Sequence, residues 1–136
     1  MNNTLKILSD LSQISEVERF ITEFSDQHRF QEGVYGNILI AVTEAVTNAI
    51  LHGNQNDIIK QVEISFQFSN PYLQCFISDQ GAGFDYQIHN LNSDAVELLL
   101  QPHGRGLFIM RQLSDRLTFH KDGSCVELEF NIQAHA

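Results

Sequence analysis

Residues 43–54 read TEAVTNAILHGN, a polar line inside an otherwise apolar segment. The surrounding Ile38, Leu39, Val42, Ala45, Val46, Ala49 and Ile50 recur at helical spacing, which predicts a helix beginning near Gly36 with a wide buried stripe. Glu44, Asn48 and His52 run beside that stripe at intervals of four residues, roughly 6 Å apart along a helix axis. Such a line is most often a solvated flank. Its position at the border of a core stripe also suits the wall of a pocket.

Downstream the period changes from helical to two. Val62, Ile64, Phe66 and Phe68 alternate with polar residues, so a strand with one buried face is expected. Asn70-Pro71 marks a turn, and Leu73, Cys75 and Ile77 set the buried parity of the next strand. Asp79 keeps that parity and therefore points towards the helices, where a carboxylate is costly unless partnered. RLTFH (116–120) and SCVELEF (124–130) flank a KDG turn as a hairpin. Upstream, TLKILSD predicts a first strand, and SEVE at 15–18 matches a capping box before a helix carrying Val17, Phe20, Ile21 and Phe24. Residues 86–103 are polar and irregular apart from a helical pattern in SDAVELLL. This order predicts an α+β fold: a two-layer α/β sandwich whose mixed, mostly antiparallel sheet is covered by helices.

The 136 residues suit one domain spanning 1–136, and 43% hydrophobic content is ordinary for a globular protein. The chain shows no long apolar run and no signal-peptide pattern at its start, so a cytoplasmic protein without membrane contact is expected. A net charge of −9 with eight Lys and Arg argues against direct nucleic-acid binding. It also requires any polyphosphate site to rely on a metal ion, backbone amides and a few placed basic groups. Cys75 and Cys125 form no spacing motif and are expected as buried, reduced thiols.

Three separated features converge on a nucleotide site. Asp79 in DQGAGFD can accept a hydrogen bond from an exocyclic amine and so select adenine, while Gly81 and Gly83 let the backbone approach base and ribose. Asn48 offers an amide oxygen to Mg²⁺, a hard cation that keeps several waters. Glu44, one turn back, is placed to polarise a hydroxyl nucleophile near the terminal phosphate. Gly104 and Gly106, in a loop before a helix, expose N–H groups that cradle phosphate. No P-loop pattern occurs. Each feature alone has a bland explanation; their joint order does not.

That order, E-x-x-x-N-x-x-x-H-G, then D-x-G-x-G-F, then G-x-G-L, resembles the N box and two glycine boxes of the GHKL (Bergerat-fold) ATPase and kinase superfamily, with its histidine-kinase-like ATPase domain. The resemblance covers about residues 35–132, and AVTEAVTNAILHGN is similar to the branch of anti-sigma-factor serine/threonine protein kinases. It implies ATP and Mg²⁺ as cofactors, Glu44 as catalytic base and Asn48 as metal ligand. It further implies Asp79, Gly81 and Gly83 around adenine, and Gly104, Arg105, Gly106 and Leu107 beside the phosphates. Ser124 is implied near adenine, and 86–103 is implied as the ATP lid. The implied partner is a STAS-type anti-anti-sigma protein phosphorylated on serine, with a sigma factor as a second partner and a homodimer as the assembly. Pro102 and His103 stand where well-known members carry a basic residue, and Arg105 lies between the glycines instead.

The sequence is compatible with two function classes. One is a serine kinase acting on a small regulatory protein; the other is a non-catalytic module whose partner affinity is gated by nucleotide. Retention of both Glu44 and Asn48 favours the kinase. His52 with Gly53 reads as a helix cap, His120 as a solvated side chain, and Arg105 equally as a phosphate contact or a surface charge.

Overall fold

The computed structural model describes residues 3–82 and 104–133. Gly83, the lid expected at 86–103 and the helical pattern in SDAVELLL lie outside the described residues. Strand β1 (Thr4–Leu8) leads through a short 3-10 turn to helix α1 (Ile14–His28) and then helix α2 (Glu32–Asn48). Strands β2 (Gln61–Ser69) and β3 (Tyr72–Ser78) follow, then helix α3 (Gly104–Leu113) and strands β4 (Arg116–His120) and β5 (Cys125–Asn131). The five strands form one sheet in the order β1-β2-β3-β5-β4. Every pairing among the described residues is antiparallel, so the mixed character expected of the sheet is absent there.

The period-two pattern accounts for the layering. Val62, Ile64 and Phe66 on β2, Leu73, Cys75 and Ile77 on β3, and Leu128 and Phe130 on β5 all turn into one core. Val17, Ile21 and Phe24 of α1, the stripe of α2, and Leu107 and Met110 of α3 close that core from the other side. Phe66 meets Phe20 and Phe24 with ring centroids 5.0 and 5.1 Å apart, so the Phe-rich strand is packing. Cys75 and Cys125 are buried free thiols, and burial pushes the Cys75 thiol well above its ordinary range.

Several expectations are corrected. Ser15 caps nothing: it lies inside α1 and donates to Ser12 O, while the Asp10 carboxylate caps the preceding 3-10 turn by accepting from Ser12 N–H at 3.0 Å. The capping-box pattern failed because the chain was already turning at Leu11. Helix α2 starts at Glu32, four residues before the expected Gly36, because Gly33 and Gly36 sit where nothing crowds them and interrupt the apolar pattern without breaking the helix. With its following turn, Glu32–Gly53 spans 22 residues and contains an 18-residue window of mean hydropathy 1.4, long and apolar enough by composition to cross a membrane. No long apolar run had been expected. The apolar side of this helix is the centre of the protein core, with Ile38, Val42 and Val46 fully buried.

At its C-terminal end α2 changes pitch. Ala49–Gly53 is a π-turn, in which Asn54 N–H reaches back five residues to Ala49 O at 2.8 Å. This turn delivers the end of α2 to the C-terminal end of β3, where the polar residues gather.

Candidate nucleotide site

Asp79 follows β3 directly and keeps its inward parity, so its carboxylate enters the gap between the sheet and the end of α2. It lines a pocket with Asn48, Ala49 and His52 from α2 and its π-turn, Leu107 and Met110 from α3, and Ser124 and Val126 from the β4–β5 side. The walls are mainly apolar and the polar groups are few, the composition of a small-molecule site.

The carboxylate is held by its own turn. Gly81 N–H donates to Asp79 Oδ1 at 2.8 Å, and Asp79 N–H donates to Ser124 O at 2.9 Å. Burial pushes the Asp79 carboxyl above its ordinary range, while the Gly81 N–H and the charge of Lys60 pull in the opposite direction. A Cβ on Gly53 would overlap this carboxylate, and one on Gly81 would overlap the Gly53 carbonyl oxygen. Two backbones and a carboxylate therefore share a space that two side chains would fill. Gly53 is thus not a left-handed helix cap, as expected from its sequence position: it is the last residue of the π-turn, and Asn54 caps with φ −92°.

Asn48, at the last position of α2, makes no capping bond with its side chain. Thr43 and Thr47, by contrast, donate their hydroxyls to Leu39 O and Thr43 O at 2.7 and 2.8 Å, the ordinary way a helix absorbs a hydroxyl. The Asn48 amide faces α3 instead. A Cβ on Gly106 would stand 2.8 Å from Asn48 Nδ2, so α3 approaches the Asn48 amide at a position without a side chain. Both Gly104 and Gly106 lie within the first turn of α3, where N–H groups have no partner inside the helix. The expected loop before the helix is therefore helix already at Gly104.

The structure gathers Asn48, Asp79, Leu107 and Ser124 in one pocket, with Gly81 and Gly106 immediately behind Asp79 and Asn48. Ser124 contributes its position more than its hydroxyl, which donates to Lys121 O at 3.0 Å. Glu44 is half-buried one turn before Asn48 and is not among the residues lining the pocket. Arg105 is exposed and also outside the lining. His52, read from the sequence as a cap, lines the pocket; its spacing of four from Asn48 was the available signal. Gly123 also lines it, as part of the expected KDG turn.

These residues fit an adenine nucleotide. A flat apolar ring suits the wall of Ile77, Met110 and Val126, and its amine edge suits a carboxylate that retains acceptor capacity beyond one backbone bond. Asn48 supplies a hard amide oxygen at the side where the first turn of α3 presents its N–H groups, which suits Mg²⁺ bound mainly by phosphate and water.

Comparison with known proteins bears on the family and the fold. Residues 7–130 match the family model described as histidine kinase-like ATPase domain. Over 89 residues the chain is 35% identical to "Serine-protein kinase RsbW" of Staphylococcus epidermidis, covering 61% of this chain and 56% of that protein. The same identity and coverage hold for RsbW of Staphylococcus aureus strain JH9. The aligned part thus spans little more than half the length of these curated relatives. Among solved structures, the RsbU and RsbW domains of Rv1364c from Mycobacterium tuberculosis superpose with TM-score 0.66 at 14% identity, covering 96% of this chain and 33% of that one. The histidine kinase domain of the blue-light activated EL346 kinase from Erythrobacter litoralis gives TM-score 0.59 at 16% identity, covering 99% and 66%. Likenesses at that identity show the fold.

Proposed function

The chain belongs to the histidine kinase-like ATPase family, and from that premise we propose that it is an ATP-dependent serine/threonine protein kinase of the anti-sigma-factor type. Its substrate in this proposal is a serine on a STAS-type anti-anti-sigma protein, and the outcome is control of transcription through a sigma factor. The observation that carries the reading is the meeting of Asp79 and Asn48 in one apolar pocket, with Gly106 leaving room for the Asn48 amide. The similarity to RsbW, named a serine-protein kinase, supports the choice of branch.

Each residue has a part in this scheme. Asp79 accepts from the adenine amine, and Gly81 and Gly83 let the backbone approach base and ribose. Asn48 holds Mg²⁺ through its amide oxygen. Gly104, Arg105, Gly106 and Leu107 form the phosphate end at the first turn of α3, and Ser124 borders the base. ATP, when bound, supplies the phosphoryl group. Glu44 takes the proton of the attacking serine hydroxyl, a role that needs a carboxylate within reach of the nucleophile. One ATP-binding domain over 1–136, a lid at 86–103, a homodimer and a cytoplasmic location free of membrane and nucleic acid complete the proposal.

One observation favours a second reading. Glu44 stands outside the pocket lining, as it would in a module that binds nucleotide only to gate its affinity for a partner. Incubation with labelled ATP, Mg²⁺ and candidate STAS proteins separates the two. Label on a partner serine supports the kinase; nucleotide-dependent partner capture without label supports the gated binder.

A further inference from the structure

Asn54 is fully buried, one of three buried polar residues in the described core, and every polar atom of its side chain is used. Nδ2 donates to Ser9 Oγ at 2.8 Å and to Gln61 O at 3.0 Å, and Oδ1 accepts from Gln80 N–H at 2.7 Å. These bonds exhaust the two amide protons and leave no orphan in a place where one would be costly. Its main chain is equally committed, the N–H to Ala49 O and the carbonyl to Asp57 N–H at 3.0 Å. Gln80 returns the interaction: its Oε1 accepts from Gln61 N–H at 2.6 Å. One amide therefore ties the end of β1, the start of β2, the π-turn and the turn after β3.

The consequence falls on Asp79. Its own N–H is anchored on Ser124 O, and the next N–H, that of Gln80, is anchored on Asn54 Oδ1. With the peptide groups on both sides of its Cα tied down, the direction of the Asp79 side chain is set before any ligand arrives. Asn54 also terminates the π-turn that continues the helix bearing Asn48. The same residue thus holds the carboxylate turn at a fixed offset from the helix that carries the amide.

We propose that Asn54 is a positioning residue for base recognition, preorganising the Asp79–Gly81 turn against the end of α2. This rests on the reading of Asp79 as the adenine acceptor. An apolar residue of similar size would fill the core but leave Gln80 N–H and Gln61 O unpaired, freeing the turn to rotate.

The test compares Asn54→Ala, Asp79→Asn and the double variant in the full chain, by calorimetric titration with ADP and GDP, after folding is verified by circular dichroism. Folded Asn54→Ala should bind ADP about tenfold more weakly, the scale of one lost hydrogen bond. Its preference for ADP over GDP should shrink, and the double variant should be no weaker than Asp79→Asn alone, since both changes act on one contact. A folded Asn54→Ala with a lower melting temperature but unchanged base preference overturns the proposal and leaves the reading of Asp79 intact. Unchanged ADP binding in Asp79→Asn rejects that reading and the proposal with it. Should Asn54→Ala not fold, amide hydrogen exchange of the ligand-free wild type decides. Protection of the Gln80 N–H comparable to the interior of β3 is expected, and exchange at the rate of an open loop overturns the proposal.

Discussion

Gly106 and Asn48 approach so closely that a Cβ at position 106 would stand 2.8 Å from Asn48 Nδ2 and 3.2 Å from Oδ1. Two helices from distant parts of the chain are thereby brought together at a glycine and an amide. In the proposed site these are the phosphate end and the metal ligand.

Gly106→Ala should therefore act on the metal and hardly on the fold. The added methyl displaces the Asn48 amide, while helix propensity favours alanine over glycine by up to about 1 kcal/mol. Mg²⁺-dependent ATP affinity is expected to drop about tenfold, equivalent to one moderate interaction, with the thermal melt little changed. Magnesium titrations that overlay the wild type would remove Gly106 from the site.

Asn48→Ala should abolish the dependence of nucleotide affinity on Mg²⁺ and leave the protein folded. The side chain borders the buried stripe of α2 without belonging to it, being only half-buried. Isothermal titrations with ATP in magnesium and in chelator measure this directly. A metal effect that survives the substitution would mean that other oxygens hold the ion.

Asp79→Asn has opposite effects on binding and stability. It should weaken ATP binding by about 1–3 kcal/mol and erase discrimination against GTP, as a hydrogen bond to a charged group is lost. In the ligand-free protein the sign reverses. Burial raises the Asp79 carboxyl above its unfolded value, so its contribution to stability is complete below the ordinary carboxylate range and is lost as pH rises through the raised folded value. Asparagine carries no such dependence. The variant should melt higher than the wild type at neutral pH, with the gap closing as pH falls through the raised folded value to about 4, the unfolded carboxyl value. Melting curves across pH 3–8 provide the check, and a wild type that melts higher throughout would contradict it.

Glu44→Gln separates enzyme from binder. Size and most hydrogen bonding persist, but the proton acceptor is gone. ATP affinity should hold while single-turnover transfer to the partner serine falls about 10²–10⁴-fold, the usual contribution of a general base. Phosphoryl transfer through a loose transition state depends on positioning as well, which sets the lower end of that range. Undiminished transfer would reject Glu44 as the base.

Much of this protein was written into local sequence pattern. The inward parity of Val62, Ile64 and Phe66 and of Leu73, Cys75 and Ile77 determined two strands and their buried face, because alternate side chains of a strand have no choice of side. The same parity put Asp79 on the core side, and helical spacing put Asn48 beside the apolar stripe of α2. What the pattern could not carry was contact between distant segments. Gly53 looked like a helix end and is instead the gap that admits the Asp79 carboxylate; Asn54 carried no signal in the pattern and is fully buried. The start of α2 and the π-turn at its end escaped for a related reason: glycines weaken a helix locally, but burial of Ile38, Val42 and Val46 against the sheet outweighs that penalty. A periodicity reports which face of one element is apolar. Which backbone passes within van der Waals contact of which carboxylate is decided only when the elements pack, since that distance belongs to neither segment alone.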